Sequence, residues 1–190
     1  MGEVYRAEQL EPVRRTVALK VLRAQTLDAR HLAYFEVERQ LLAQMRHPAI
    51  AQVYDAGTTG EGHPFFAMEF IEGSPITRYC EAHAIPLAQR LALLIRICEG
   101  VQHAHQKGVI HRDLKPGNLL VDDVDGRPLP RIIDFGIATA GSLAEGREVA
   151  GTPAYMTPEA AAGAAPTPAM DVYSAGMVLI EMLTGRPLIH

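Results

Sequence analysis

Two short stretches hold side chains whose types and spacing could carry out polar chemistry. His111-Arg112-Asp113-Leu114-Lys115-Pro116-Gly117-Asn118 follows the pattern H-R-D-x-x-x-x-N, which sets a carboxylate beside a reacting hydroxyl and an amide oxygen on a metal ion. With each residue type at about one in twenty, four fixed positions recur by chance about once in 10⁵ starting points. A polar turn without function is therefore a poor account of it. Sixteen residues after Asn118 stands Asp134-Phe135-Gly136, preceded by Ile132-Ile133. The order predicts a strand that ends by presenting one carboxylate. Alone the tripeptide is weak, but at this distance behind the first motif it is specific.

The elements that must position these groups change character near residue 73. Before it, β-rich runs at Thr16–Leu22, Ile50–Tyr54 and Pro64–Phe70 surround one amphipathic stretch, Asp28–Met45, in which Leu32, Phe35, Leu41, Leu42 and Met45 recur at near-helical spacing. After it come a long periodic helix candidate, Leu87–Lys107, a loop-rich centre from Gly108 to Thr157, and an apolar helix candidate, Asp171–Thr184. Ala160–Ala169 reads as an Ala/Pro-rich surface connection. Glu72-Gly73-Ser74-Pro75 has the composition of a hinge. The pattern predicts an α+β fold of two lobes, residues 1–72 as a small sheet with one helix and residues 73–190 as a larger, mainly helical part.

Composition narrows the function classes. The chain has 190 residues, 48% hydrophobic and 21% charged, an ordinary globular mixture that excludes collagen-like and wholly disordered readings. Eighteen Lys and Arg stand against 22 Asp and Glu, a net charge of −4, so nothing favours general binding to nucleic acid or an anionic membrane. Two cysteines, Cys80 and Cys98, make neither a disulfide framework nor a metal cluster and fit a reducing cytoplasm. No run approaches the roughly 18 apolar residues of a membrane span, and Met1-Gly2-Glu3-Val4-Tyr5-Arg6 lacks the order of a signal peptide. Any membrane anchor of a longer parent would lie outside this segment. His103 and His105 sit two apart on a helix, face different ways and read as packing.

With these motifs the chain resembles the protein kinases, and within them the bacterial serine/threonine kinases of eukaryotic type. Further matches are Val17-Ala18-Leu19-Lys20, Gly151-Thr152-Pro153-Ala154-Tyr155-Met156-Thr157-Pro158-Glu159 and Asp171-Val172-Tyr173-Ser174. The resemblance implies transfer of a phosphoryl group from ATP, with Mg²⁺, to Ser or Thr hydroxyls of protein substrates, autophosphorylation in trans included. It implies that Asp113 accepts or orients the hydroxyl proton, that Lys115 contacts the transferred phosphate, and that Thr152 braces Asp113. Lys20 would hold the α- and β-phosphates, paired with a glutamate on the following helix. Glu36 and Glu38 compete for that role, and Glu38 is preferred for its distance before His47-Pro48. Asn118 and Asp134 would hold Mg²⁺. Met68 would wall the adenine pocket, Glu69 and Ile71 would offer backbone groups to the base, and Gly2, Val4 and Ala18 would line the nucleotide. Asp171 resembles a buried aspartate that ties the catalytic loop.

Departures from the family pattern matter too. The phosphate-covering loop G-x-G-x-x-G-x-V is represented only by Gly2 and Val4, and the chain stops just after the Asp171–Thr184 helix. The expectation is a kinase domain incomplete at both termini, whose 190-residue piece binds ATP weakly. The alternative is a poorly active fragment or pseudokinase serving as a nucleotide- or protein-binding module. Arg112 implies activation by an anion in the loop from Asp134 to Glu159, with Thr139, Ser142, Glu145 and Glu148 as the candidates.

Overall fold

Four strands build the N-terminal sheet of the computed structural model, which describes residues 2–22, 35, 37, 39–135 and 152–189. They are Glu3–Gln9 (β1), Arg15–Val21 (β2), Val53–Thr58 (β3) and Pro64–Glu69 (β4), all antiparallel in the order β1-β2-β4-β3. The inner strands β2 and β4 carry the β-branched and aromatic residues that a half-buried pleat favours. Phe66 of β4 is fully buried and meets Phe35 edge-on at 4.9 Å between ring centroids. Phe35, Val37 and residues 39–43 are helical, as the periodicity predicts. Ile50, expected to open a strand, instead makes an isolated parallel bridge to Ile132, and β3 begins at Val53. Strand β1 was not anticipated, because its polar sequence carries no apolar alternation.

The remaining strands, Ser74–Pro75 (β5) at the expected hinge and Leu119–Val124 (β6) and Arg127–Ile132 (β7) within the loop-rich centre, form a second, three-stranded sheet, and β7 is the strand expected ahead of Asp134. Asp125 and Gly126 connect β6 to β7 with φ of 54° and 74°, the pair of positive angles that a two-residue hairpin turn needs. Helices Ile76–Ala82 (α1), Leu87–Gln106 (α2), Pro158–Ala161 (α3) and Pro168–Thr184 (α4) complete the larger lobe. On α2, Leu93, Ile97, Val101 and Ala104 recur on one face and are buried, while Pro86 precedes its first turn. Helix α4 starts three residues earlier than Asp171, with Pro168 at its N-terminus, where a missing N–H costs nothing. Among the described residues no helix is long and apolar enough to cross a membrane.

One continuous core joins both sheets to the helices: Phe66 and Met68 from β4, Leu119 and Val121 from β6, Ile97 from α2 and Val178 from α4 all belong to it. Backbone bonds reinforce the junction, since Ile132 N–H donates to Ala49 O at 2.6 Å and Ala51 N–H to Ile132 O at 3.0 Å. At the hinge, Gly73 lies directly against β6. A Cβ there would stand 2.6 Å from the carbonyl oxygen of Val121 and 2.8 Å from its carbon. Both are backbone atoms, so the chain itself would have to move.

His111 is fully buried beside this core. Its Nε2 lies 3.0 Å from Ile133 O, its Nδ1 accepts from Asp113 N at 3.3 Å, and its ring lies 4.8 Å from that of Phe135. These partners fix the neutral tautomer with the proton on Nε2. A second proton on Nδ1 would confront the Asp113 amide. Burial accordingly lowers the His111 pKa below its ordinary 6.5, against the opposing pull of Asp171, Asp113 and Asp134.

Gly73→Ala is expected to lose about 1–3 kcal/mol of unfolding free energy, the usual cost of overpacking, read from urea denaturation; unchanged stability would show that the hinge does not need this close approach. The unfolded chain binds a proton on His111 more readily than the native one. Stability from this group is therefore complete above the ordinary value of 6.5 and lost as pH falls below it. Denaturation midpoints measured from pH 7.5 down to 5.5 should decline, and less steeply in a His111→Phe variant.

Candidate active site

Cross-strand pairing decides which residues share a face. Val4 lies opposite Lys20, Ala18 opposite Met68, and Lys20 opposite Phe66, so Val4, Ala18, Lys20 and Met68 stand on one face of the sheet. Met68 is buried at the rear, whereas Val4 is well exposed at the front. Gly2 precedes β1 beside the end of β2. Behind Met68 a small apolar cavity is lined by Leu42, Met45, Ile50, Val53 and Phe135 among others.

Lys20 is buried, and an ammonium ion taken out of water needs a counter-charge. Its Nζ lies 2.5 Å from Asp134 Oδ1. The two residues are 114 apart in sequence, so this ion pair closes the N-terminal sheet onto the segment that follows β7. Asp134 has φ of 62°, a conformation uncommon for a side chain larger than glycine. The expected partner Glu38 and its competitor Glu36 lie outside the described residues, as do Gly136, Thr139, Ser142, Glu145 and Glu148.

The loop between α2 and β6 is held from beneath. Asp171, at the start of α4 and buried, accepts from His111 N at 2.8 Å and Arg112 N at 2.9 Å. These two bonds occupy both carboxylate oxygens and support Arg112 in a left-handed conformation, φ 71°. His105, expected only to pack, places its Nε2 2.7 Å from Asp171 Oδ2. His103 makes no such bond; its ring lies 5.4 Å from that of His47. Sequence reasoning missed the role of His105, since 66 residues separate it from Asp171 and no local pattern links them.

Above this anchor, one hydrogen-bonded set surrounds Asp113. Its Oδ1 accepts from Thr152 N at 3.0 Å and from the Thr152 hydroxyl at 3.1 Å. Its Oδ2 lies 2.7 Å from Lys115 Nζ and 3.2 Å from Asn118 Nδ2, which also donates to Asp113 O at 2.8 Å. Lys115 Nζ donates to the Thr152 hydroxyl at 2.8 Å. Every bond is satisfiable at once: the threonine gives its single proton to Asp113 and accepts from Lys115. Asp113, Lys115, Asn118 and Thr152 are thus brought into one cluster, and Lys20 with Asp134 into another.

The hinge side chain of Glu69 has a use that its sequence position did not reveal. It forms an ion pair with Arg131 of β7 and accepts from Gln52 N at 3.1 Å. Its own N–H donates to Gln52 O at 2.8 Å, so both its backbone amide and its carboxylate are tied to residue 52.

The donor chemistry fits a hard divalent cation. Asn118 spends both amide protons on Asp113, which turns its Oδ1 the other way, and Asp134 keeps Oδ2 beyond its contact with Lys20. Among the described residues no group of three or more His, Cys, Asp or Glu could hold a metal unaided. Mg²⁺ is characteristically held by one or two protein oxygens, with substrate phosphates and water completing the octahedron.

Comparison with known proteins agrees with this geometry. The model of the protein kinase domain matches residues 1–190. Serine/threonine-protein kinase pkn2 of Myxococcus xanthus is 37% identical, covering 98% of this chain and 23% of its own length. PkaA of Streptomyces coelicolor is 38% identical over 98% of this chain and 37% of its own, and PrkC of Bacillus subtilis 37% over 98% and 29%. The chain therefore spans well under half of these relatives. The crystal structure of the Mycobacterium tuberculosis PknI kinase domain superposes with a TM-score of 0.77 at 29% identity, covering all of this chain and 70% of that one. By its catalytic-loop architecture and by these matches, the chain belongs to the protein kinase domain family.

Proposed function

We propose that the protein is an ATP-dependent serine/threonine protein kinase, with residues 1–72 as the nucleotide-binding lobe and residues 73–190 as the catalytic lobe. The observation that carries this reading is the cluster in which Asp113 is held by Thr152, Lys115 and Asn118 together. Phosphoryl transfer asks little covalent chemistry of a protein and much positioning and charge compensation. Here Thr152 and Asn118 aim the Asp113 carboxylate, which takes the proton of a Ser or Thr hydroxyl as that oxygen bonds to the γ-phosphorus and the bond to the β-bridging oxygen breaks. Lys115, 2.7 Å from Asp113, supplies a positive charge where the transferred phosphoryl group gathers negative charge. Lys20 holds the α- and β-phosphates, and its contact with Asp134 keeps both in register before nucleotide arrives. Asn118 and Asp134 would hold Mg²⁺, which when bound neutralises phosphate charge. Val4, Ala18 and Met68 enclose the base, with Glu69 and Ile71 offering backbone groups at its edge and Gly2 near the phosphates.

Lys115 two residues past the aspartate supports serine and threonine over tyrosine as acceptors, and the relatives named above share that designation. Substrates are then proteins with accessible Ser or Thr, neighbouring copies in trans among them. The two free cysteines, Cys80 buried and Cys98 exposed, support a cytoplasmic, reducing setting.

The test is transfer of label from γ-labelled ATP with Mg²⁺ to a generic protein acceptor by the full-length protein. Label should appear on Ser or Thr, and Asp113→Asn should lower the rate by about 10²–10⁴, the range of a lost general base, with nucleotide binding retained. Labelling untouched by Asp113→Asn would remove the assigned role, and nucleotide binding without any labelling of either protein would leave a binding module.

A further inference from the structure

We propose that Arg131 is a positioning residue for the nucleotide, a single guanidinium that fixes the hinge and the strand leading to Asp134 relative to each other. The proposal rests on the kinase reading above and adds a residue that no motif marks. Arg131 lies on β7, three residues before Asp134. One of its terminal nitrogens donates to Pro48 O at 2.6 Å, and the other pairs with Glu69, immediately after Met68. Glu69 in turn accepts from Gln52 N through its other carboxylate oxygen. Three separate stretches thus converge on one planar fork: β7, residues 48–52, and the hinge.

The pair is positioned for leverage more than for stability. Both side chains are about four-fifths shielded, with exposures of 19% and 22%, so their attraction is little screened by solvent. Yet the buried Nε of Arg131 has no partner among the described residues. An arginine whose desolvation is incompletely compensated is a poor choice for stability alone, since an apolar pair of similar volume would do as well. What an apolar pair lacks is direction. The Glu69 N–H is bonded to Gln52 O and its carboxylate to Arg131 and to Gln52 N, so residue 69 is held through backbone and side chain at once, at the edge that the kinase reading assigns to the base. Release of Arg131 frees the side-chain end and uncouples the base-binding edge from Asp134.

The test measures Mg-ATP affinity, kcat at saturating Mg-ATP and the melting temperature for the full-length protein and for Arg131→Ala, Arg131→Lys, Glu69→Gln and the Arg131→Ala/Glu69→Gln double variant. Arg131→Ala should weaken Mg-ATP binding about tenfold, less than the roughly hundredfold that a 1 Å misplacement can cost, while kcat at saturation stays within about twofold. Arg131→Lys keeps the charge but not the fork and should fall between the two. The double variant should bind no more weakly than the weaker single one, as expected for two residues acting through one contact. Unchanged affinity in Arg131→Ala overturns the proposal, as does an additive double variant or a loss of affinity matched by a falling melting temperature that Arg131→Lys does not rescue. A wild-type protein that binds no Mg-ATP would overturn the nucleotide reading itself, an outcome distinct from wild-type binding that Arg131→Ala leaves intact.

Discussion

The carboxylate of Asp171 is the constraint on which the rest of the site depends. It is buried, its two oxygens take the N–H groups of His111 and Arg112, and His105 stands against it. Buried amides that lose their acceptor cost about 1–3 kcal/mol each, and here two consecutive ones share a single side chain. That arrangement lets the backbone turn through a left-handed Arg112 and deliver Asp113 upward while His111 points down onto Phe135. A loop of this shape would not persist on its own. Helix α4 supplies the anchor and its apolar face supplies the core that keeps the anchor rigid, so the second lobe is organised around one residue at a helix start.

Two cation–carboxylate pairs then divide the work across the cleft. Lys20 with Asp134 couples the N-terminal sheet to the end of β7, and Lys115 with Asp113 belongs wholly to the catalytic loop. In each the lysine offsets the charge of a carboxylate held within 2.7 Å of it. Strand β7 links residues 49–51 and Glu69 of the N-terminal part to the segment that carries Asp134. Through Ile132 it is hydrogen-bonded to residues 49 and 51, through Arg131 it reaches Glu69, and Asp134 stands two residues past its end at Ile132.

Much of the catalytic cluster was legible because it is local. Asp113, Lys115 and Asn118 lie within six positions of one another, so their spacing alone is a signature, and Asp134 follows at a distance set by one hairpin. The helices α2 and α4 were legible from apolar periodicity over long runs. The hairpin β6–β7 was hidden by its composition, with Asp122, Asp123, Asp125, Pro128 and Pro130 reading as loop, although Asp125-Gly126 is itself a turn signal. Contacts between residues remote in sequence left no trace that a single chain could show: His105 with Asp171, and Glu69 with Arg131. Both join charged or titratable groups whose local surroundings predict only solvent or packing. The hinge was visible in Gly73, but the reason for glycine there, a backbone pressed against Val121 O, emerges only from the fold.

The most direct measurement of this organisation is residue-resolved amide hydrogen exchange on the native protein and on Asp171→Ala. In the native protein the amides of His111 and Arg112 should exchange as slowly as those of the buried strands β2 and β4. In Asp171→Ala their protection should collapse toward that of surface loops while the strands keep theirs, since the four-stranded sheet has no contact with this carboxylate in its hydrogen bonding. If those two amides exchange freely in the native protein, or remain equally protected in the variant, Asp171 is not the anchor of the catalytic loop.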